Sequence, residues 1–500
     1  MSRTFAAVKF TGGVNDWFHP GLLDAATAAE LLNADISSGK LVPVKKPLLL
    51  TDHDPTHYGH YGTRDRSVVK WYDRFYWSDN IAASAPYYGG NVENYLGIPY
   101  PAYSGAGANV SISATSPESG ESGMTGEYKY CVTFVNVNGW EGAPGSAEEY
   151  EVALTLNAQI AELTVTWTDD RISYAKIYRT IDHGADFYCV GETATSGAAF
   201  RDTVTDADAQ MMNPLSTQDN FPPPDGGKFL CEYGGVFFLA VGDKLYFSGV
   251  GNPHAWPTLQ FLAFDDIITG IAPEFQGVLV FTRNNAFRVT GADSAETVNK
   301  TYIPGNHGCV TFRSIAVLNN APVWLSSGGL CLWDGSSVSV ASYGKVKTDL
   351  LAVRYAAAAH DCFYLFHTRG TLVFDRRTGD TFRKLDFTCD YAWYDSDSDL
   401  LILQSGGRLY QFGAGSPLTM RYASPYIGGA ESAQKIFLEL FTVGDGIITA
   451  TVAVDGKSVA TVTLPAGRNR VKLPRNAVGR YLQTTLKSSG TITEMAVTYD

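Results

Sequence analysis

Apolar and aromatic residues in this chain fall into paired runs, each pair joined by a tight turn. Short runs rich in β-branched and aromatic residues, bounded by turn formers, read as the two strands of a hairpin. The pattern occurs first at Ser67–Ser78 and then five more times, at Val236–Phe247, Val278–Val289, Pro322–Trp333, Cys362–Phe374 and Leu400–Phe412. The later five turn at Gly242, Asn284, Gly328, Arg369 and Gly406, with Gly and Asn supplying the positive φ of a two-residue hairpin loop. The markers are spaced by 42, 44, 41 and 37 residues. A hairpin period of roughly 40–50 residues is the signature of a β-propeller, and six copies predict about six blades.

Two stretches break the period. Between the first hairpin and the others, Glu127–Gly142 alternates over one long strand that ends in Asn138-Gly139, and Leu163–Trp167 and Ala175–Arg179 alternate after it. These residues resemble a fibronectin type III-like sandwich, with a Tyr-bearing strand and a strand carrying a core Trp. After Gly413, Ile436–Phe441, Ile447–Val454, Val459–Leu464, Arg480–Leu486 and Ile492–Thr498 alternate cleanly and predict a small C-terminal β-sandwich. Near the start, the Ala/Leu-rich segment Leu22–Asn33 has apolar residues at helical spacing, and Asp24 is placed to cap it. It predicts the chain's one helix. The expected fold is thus all-β, a propeller of about six blades with an inserted sandwich and a C-terminal sandwich. Its segments are 1–106 with the first blade, 107–212 as the insert, 213–424 as the remaining blades, and 425–500.

Composition agrees with this reading. Fifty Gly in 500 residues, 13% aromatics and only 18% charged residues exclude a disordered chain and disfavour helical bundles. Charge changes the picture more. Segment 107–212 holds 16 acidic and 5 basic residues, a net of −11, whereas the rest holds 35 and 33, a net of only −2. No basic block forms a nucleic-acid groove, so sequence-reading of DNA is not expected. The seven Cys form no C-x-x-C pair and most sit in apolar runs, which predicts buried free thiols made in a reducing compartment. The first ten residues lack the order of a signal peptide, and no apolar stretch approaches ~20 residues, so no membrane span is expected.

Candidate chemistry is sparse. His53, His57 and His60 stand together with Asp52 and Asp54, but Pro55 and Gly59 interrupt the segment, so a polar rim loop is a better reading than a zinc site. His307 beside Cys309 and His360 beside Asp361 lack a third partner. Asp265-Asp266, Glu274 and Asp395–Asp399 offer carboxylates of the kind glycosidases pair, but they read better as solvated turns. No nucleophile elbow or phosphate-binding loop is present, and no catalytic residue, cofactor or metal is expected. Arg468, Arg470 and Lys472, followed by Arg475, point to one face of a strand. They suit a salt-bridged subunit interface, with a solvated face or a weak phosphate contact as alternatives.

The segment Lys244–Pro257 is more specific than the architecture: a strand, Ser248, then Asn252-Pro253 and Trp256. With Phe10–Asn15, Leu32–Ile36 and Ser38–Pro43, in that order, it resembles the nozzle, or lower tail hub, of short-tailed bacteriophages. The resemblance runs from Thr4 to about Gly413, and the acidic insert departs from it. It implies a structural virion protein, made in the host cytoplasm and forming a homohexameric ring in the tail. Such a ring continues the DNA channel below a tail adaptor and beside fibres or spikes, without sequence-specific DNA contact or catalysis. On that reading His53, His57, His60, Asn252, His254 and Trp256 belong to loops lining the lumen or rim. The alternative is a carbohydrate-binding or carbohydrate-active propeller, either a receptor-binding tail component or a glycosidase.

Overall fold

The computed structural model describes residues 3–50, 65–72, 74–80, 87–89, 93–105, 107–292, 297–348, 352–428 and 433–500. The chain is almost all β, and among the described residues no helix is long and apolar enough to cross a membrane. It divides into two compact units, one of residues 65–268 and 289–300, the other of 1–64, 269–288 and 301–500.

The recurring element is the four-stranded antiparallel meander from which propeller blades are built. Its middle hairpin is the one that repeats in the sequence. In Lys228–Tyr233, Val236–Val241, Lys244–Phe247 and Phe261–Ala263, the second strand is buried on both faces from Val236 to Ala240. Strands Gly277–Thr282, Ala321–Ser326 and Cys362–His367 hold the same place in later meanders and are buried in the same way. Burial on both faces explains why they read as unbroken apolar runs rather than alternating ones. The turns fall within a residue of the expected positions, and Gly242 (φ 62°) and Gly406 (φ 56°) adopt the left-handed backbone expected. The exception is at Asn284, where a three-residue turn, Arg283–Asn285, closes with Thr282 Oγ1 accepting from the Asn285 amide.

In the first unit, the meander of Arg66–Trp71 and Arg74–Asp79 is tied to the next one by side chains. Ser78 Oγ and Asn80 Oδ1 accept from the amides of Leu230 and Phe229. The insert lies in the same unit. Its 14-residue strand Val152–Val165 breaks at Ala158 (φ 54°). The half before the break pairs with Met124–Asn136, and the half after it with Val110–Thr115 and Ala199–Asp202. One strand thus serves two sheets, which close over Tyr130, Phe134, Leu163 and Ile177. Trp167, expected in the core, lies just beyond the strand end, half-buried against Phe134.

In the second unit, the meander of Tyr391–Asp395, Leu400–Ser405 and Arg408–Gln411 takes its fourth strand from far upstream, Leu48–Leu49. The preceding meander, Val353–Ala359 to Thr381–Leu385, continues through Glu30–Leu32 into strands Met420–Ala423, Leu482–Ser488, Ile448–Val454 and Lys457–Leu464. A second C-terminal sheet is ordered Thr4–Val8, Ile492–Tyr499, Lys435–Gly444, Gly467–Lys472. Alternate residues of both sheets, among them Ile448, Ala450, Val452, Leu440 and Val497, enter one core with Phe363 and Leu365 of the meander.

The expected helix at Leu22–Asn33 does not form. A 3-10 turn, Pro20–Leu22, is followed by a turn at Asp24–Thr27 and the strand Glu30–Leu32. Asp24 does cap, but it caps a turn, its Oδ1 accepting from the Ala26 and Thr27 amides and from Thr27 Oγ1. A twelve-residue helix is marginal in isolation, and here strand pairing with Arg421–Ala423 on one side and Lys384 on the other, with burial of Ala28 and Leu31, outweighs its propensity. Replacing Asp24 by Ala is expected to cost about 1 kcal/mol by urea denaturation with no change in far-UV helical signal. A drop in that signal would restore the helix.

Asp35, on the same N-terminal segment, accepts from Arg383 Nη1 at 2.7 Å and Arg377 Nη2 at 2.8 Å, pinning the segment to the meander. Burial opposes its ionisation. The Arg383 charge, the Ser37 hydrogen bonds and Arg377 prevail and hold the carboxyl well below the usual range.

Candidate functional site

The motif segment after Lys244–Phe247 folds inward. Ser248 Oγ is buried, accepting from the Phe237 amide and donating to Gly249 O. The amide of Gly249 donates to Ala255 O, and that of Ala255 to Asn252 O. The Trp256 amide donates to Phe221 O, while its Nε1 donates to Pro253 O at 2.8 Å. Pro253–Trp256 is therefore a buried plug, and Trp256 packs with Tyr76, Leu96, Leu230 and Phe237. His254 is 6% exposed and stacks flat on Trp140 of the insert, centroids 5.0 Å apart and planes 5° apart. Arg74 lies 5.4 Å over the same indole. The expectation for the described rim residues is thus corrected: His254 and Trp256 face the interior of their unit, and of these three only Asn252 is exposed. The polar composition of Gly249–Pro253 concealed this, because its polar groups are satisfied by its own backbone. His53, His57 and His60 lie outside the described residues.

Next to Trp140, Glu141 accepts from Thr133 Oγ1 and Tyr178 Oη at 2.7 Å, Lys176 Nζ at 2.8 Å and Thr217 Oγ1 at 3.3 Å. Burial and Glu141 together push the Tyr178 phenol up. Both carboxylate oxygens are engaged, so the arrangement ties the insert to the segment that follows it and offers a substrate no free group. Burial likewise drives the His254 imidazole down to about 4, against the weaker pull of a backbone hydrogen bond with Glu141.

The carboxylates considered from sequence do not converge as an acid–base pair. Glu274 is buried and accepts from Arg288 Nε at 2.8 Å and Trp333 Nε1 at 3.2 Å, tying neighbouring meanders together. Asp266 accepts from the next amide in an exposed turn. Asp395 closes its own turn through Ser398. His360 pairs with Asp399 rather than Asp361, at 3.0 Å, and Tyr394 Oη donates to the same carboxylate at 2.5 Å. Those two hydrogen bonds hold the Asp399 carboxyl below the usual range. Asp361 instead accepts from Asn319 Nδ2. Type I′-like turns at Asn319-Asn320 and His360-Asp361, all with φ of 51–62°, bring these side chains together along successive meanders. Only a hairpin alignment could have revealed the Asp399 partner, 39 residues away. Among the described residues no three His, Cys, Asp or Glu side chains are placed to share a metal ion. All seven cysteines are free thiols and six are buried, with burial pushing Cys331 and Cys362 up to about 11.

Strand Gly467–Lys472 presents Arg468, Arg470 and Lys472 on one exposed face, as expected, and Arg475 is exposed beyond it. Arg470 reaches Glu439 Oε2 at 2.7 Å and lies 5.3 Å over Phe441. Arg468 reaches Glu494 only at 4.0 Å, both side chains being solvated.

No protein-family model matches the chain, and no curated protein matches it. Among solved structures, BamB from Moraxella catarrhalis is similar at 9% identity and a TM-score of 0.26, covering 49% of this chain and 80% of that one. The Pan2 WD40 domain of Neurospora crassa gives 11% and 0.27, covering 52% and 84%. An exo-beta-1,3-galactanase from Phanerochaete chrysosporium gives 9% and 0.20, covering 87% and 96%. Likenesses this weak carry no argument about what this chain does.

Proposed function

We propose that this chain is a structural component of a phage tail, a homohexameric nozzle that continues the DNA channel. On this reading its meanders form a propeller of about six blades, elaborated by a fibronectin type III-like insert and a C-terminal sandwich. The observation that carries the reading is the ordered series of short motifs from Phe10 to Trp256, set in a chain of repeated meanders. The strand Leu48–Leu49, which completes the last meander from the N-terminal side, supports closure of the blades into a ring. A conduit should hold DNA weakly, since each Lys or Arg contact to phosphate would retard passage. The net of −2 outside the insert suits that requirement. Its partners would be a tail adaptor, fibres or spikes, and its place the virion.

Native mass measurement and negative-stain imaging of the purified full-length chain test this. Six copies in a ring with an axial channel are expected. A monomer that binds or cleaves glycans would overturn the reading in favour of the carbohydrate alternative.

A further inference from the structure

The five basic residues of the insert are all engaged within it. Lys129 pairs with Glu151, Arg171 with Asp169 and Lys176 with Glu141, while Arg179 and Arg201 each bind two or more carboxylates. The surplus of acid therefore faces outward. Part of it stands beside an aromatic ring at Glu148-Glu149-Tyr150, a tip whose three residues are all exposed. Glu149 is steadied by Ser104 Oγ at 2.9 Å, and among the described residues Glu148 meets no cation.

The C-terminal sheet carries the complement. A groove of about 440 Å³ is lined by Arg3, Lys472 and Arg475 together with Ile436 and Val478. The two aliphatic side chains are 48% and 40% exposed. Glu439 also lines it, but Arg470 already neutralises that carboxylate. Among the described lining residues, Arg3, Lys472 and Arg475 thus stand around exposed aliphatic surface with Glu439 as the single carboxylate, and Arg470 already holds it.

We infer that this groove receives the Glu148–Tyr150 tip of a second copy of the chain. Charge complementarity selects the occupant: an acidic tip bearing one ring meets a cationic groove with an apolar lining, and both belong to every copy. Tip and groove are different surfaces, so the contact is heterologous and propagates head to tail, as a ring requires. The tyrosine supplies the buried anchor and the charges steer and orient the encounter. The inference rests on the ring reading above.

The test uses full-length chains with charges reversed on one side only, E148R/E149R or K472E/R475E. Both pairs are solvent-exposed, and circular dichroism confirms that each variant folds. Mass photometry at low salt should show each variant associating at least ~30-fold more weakly than the parent chain. Mixing the two should restore assembly with the variants alternating, because each tip then meets a groove of opposite charge, and combining all four reversals in one chain should do the same. Y150A, which leaves charge unchanged, should weaken association about 10-fold at high and low salt alike. Rings that persist within about threefold of parent strength in both reversed variants overturn the docking and leave the ring reading standing. A parent chain that never self-associates overturns both.

Discussion

Replacing Arg179 by Leu is expected to cost about 3–5 kcal/mol and to expose the insert to proteolysis. Arg179 is fully buried, its Nη1 2.9 Å from Asp202 and its Nη2 2.9 Å from Asp206. It also donates to the carbonyls of Val204 and Thr180 and stacks 5.0 Å over Tyr128. Asp202 is equally buried and accepts a further bond from Tyr130 Oη. Removing the guanidinium leaves that carboxylate without its counter-charge in a medium that solvates it poorly. Burial already pushes the Asp202 carboxyl above its usual range despite Arg179. In the variant it should rise further, so the deficit should shrink as pH falls and the group takes up a proton. The double variant R179L/D202L should lose much less than the sum of R179L and D202L, since it removes both charges. Urea denaturation of the three variants at pH 7 and pH 5 measures this. A loss for R179L within 1 kcal/mol of zero would show that the cluster is not what holds the insert together.

That cluster was not readable from sequence. Arg179, Asp202 and Asp206 are spaced by 23 and 27 residues, and only the pairing of Ile172–Arg179 with Met124–Asn136 brings the arginine inside. The meanders were readable, because a strand covered on both faces must be apolar throughout, and its turn must accept positive φ. Their outer strands were not. Leu48–Leu49 is two residues long, and nothing local marks it as the partner of Tyr410 and Gln411. The false helix has the same origin. Ala and Leu at helical spacing satisfy a helix, but Leu31 is equally well placed by strand alternation, and long-range pairing decided between them. The segment around Trp256 was expected on a rim and lies buried, since a Gly/Pro/Asn-rich stretch can fold inward when its own backbone supplies the hydrogen bonds. The shared face of Arg468, Arg470 and Lys472 was readable, because period-2 alternation fixes which side chains of a strand point the same way.

The burial of His254 makes the joint between insert and meander sensitive to acid. At pH 7 the ring is neutral both in the folded chain and in the unfolded chain, whose histidine titrates near ~6.5, so the stabilisation is complete. Below that, the unfolded chain takes a proton that the folded site, with its pKa of about 4, refuses. Stability should therefore fall from about pH 6.5 down to about pH 4, by about 3 kcal/mol in all at this residue. Asp35 contributes in a lower window, because a carboxyl held below its usual range loses its stabilisation only as pH drops beneath the unfolded value near ~4. His367, also lowered by burial, adds to the upper window. The diagnostic is thus a difference between chains rather than a single curve. His254→Phe keeps a ring against Trp140 and removes the titration, so its stability should change by about 3 kcal/mol less than the parent's between pH 7 and pH 4.5. Trp140 sits at the joint and reports on it, and its fluorescence should follow the same transition in the parent and lose this component in the variant. Parallel pH profiles for the two chains would mean that His254 is protonated in the folded state without penalty, and that the joint opens by another route.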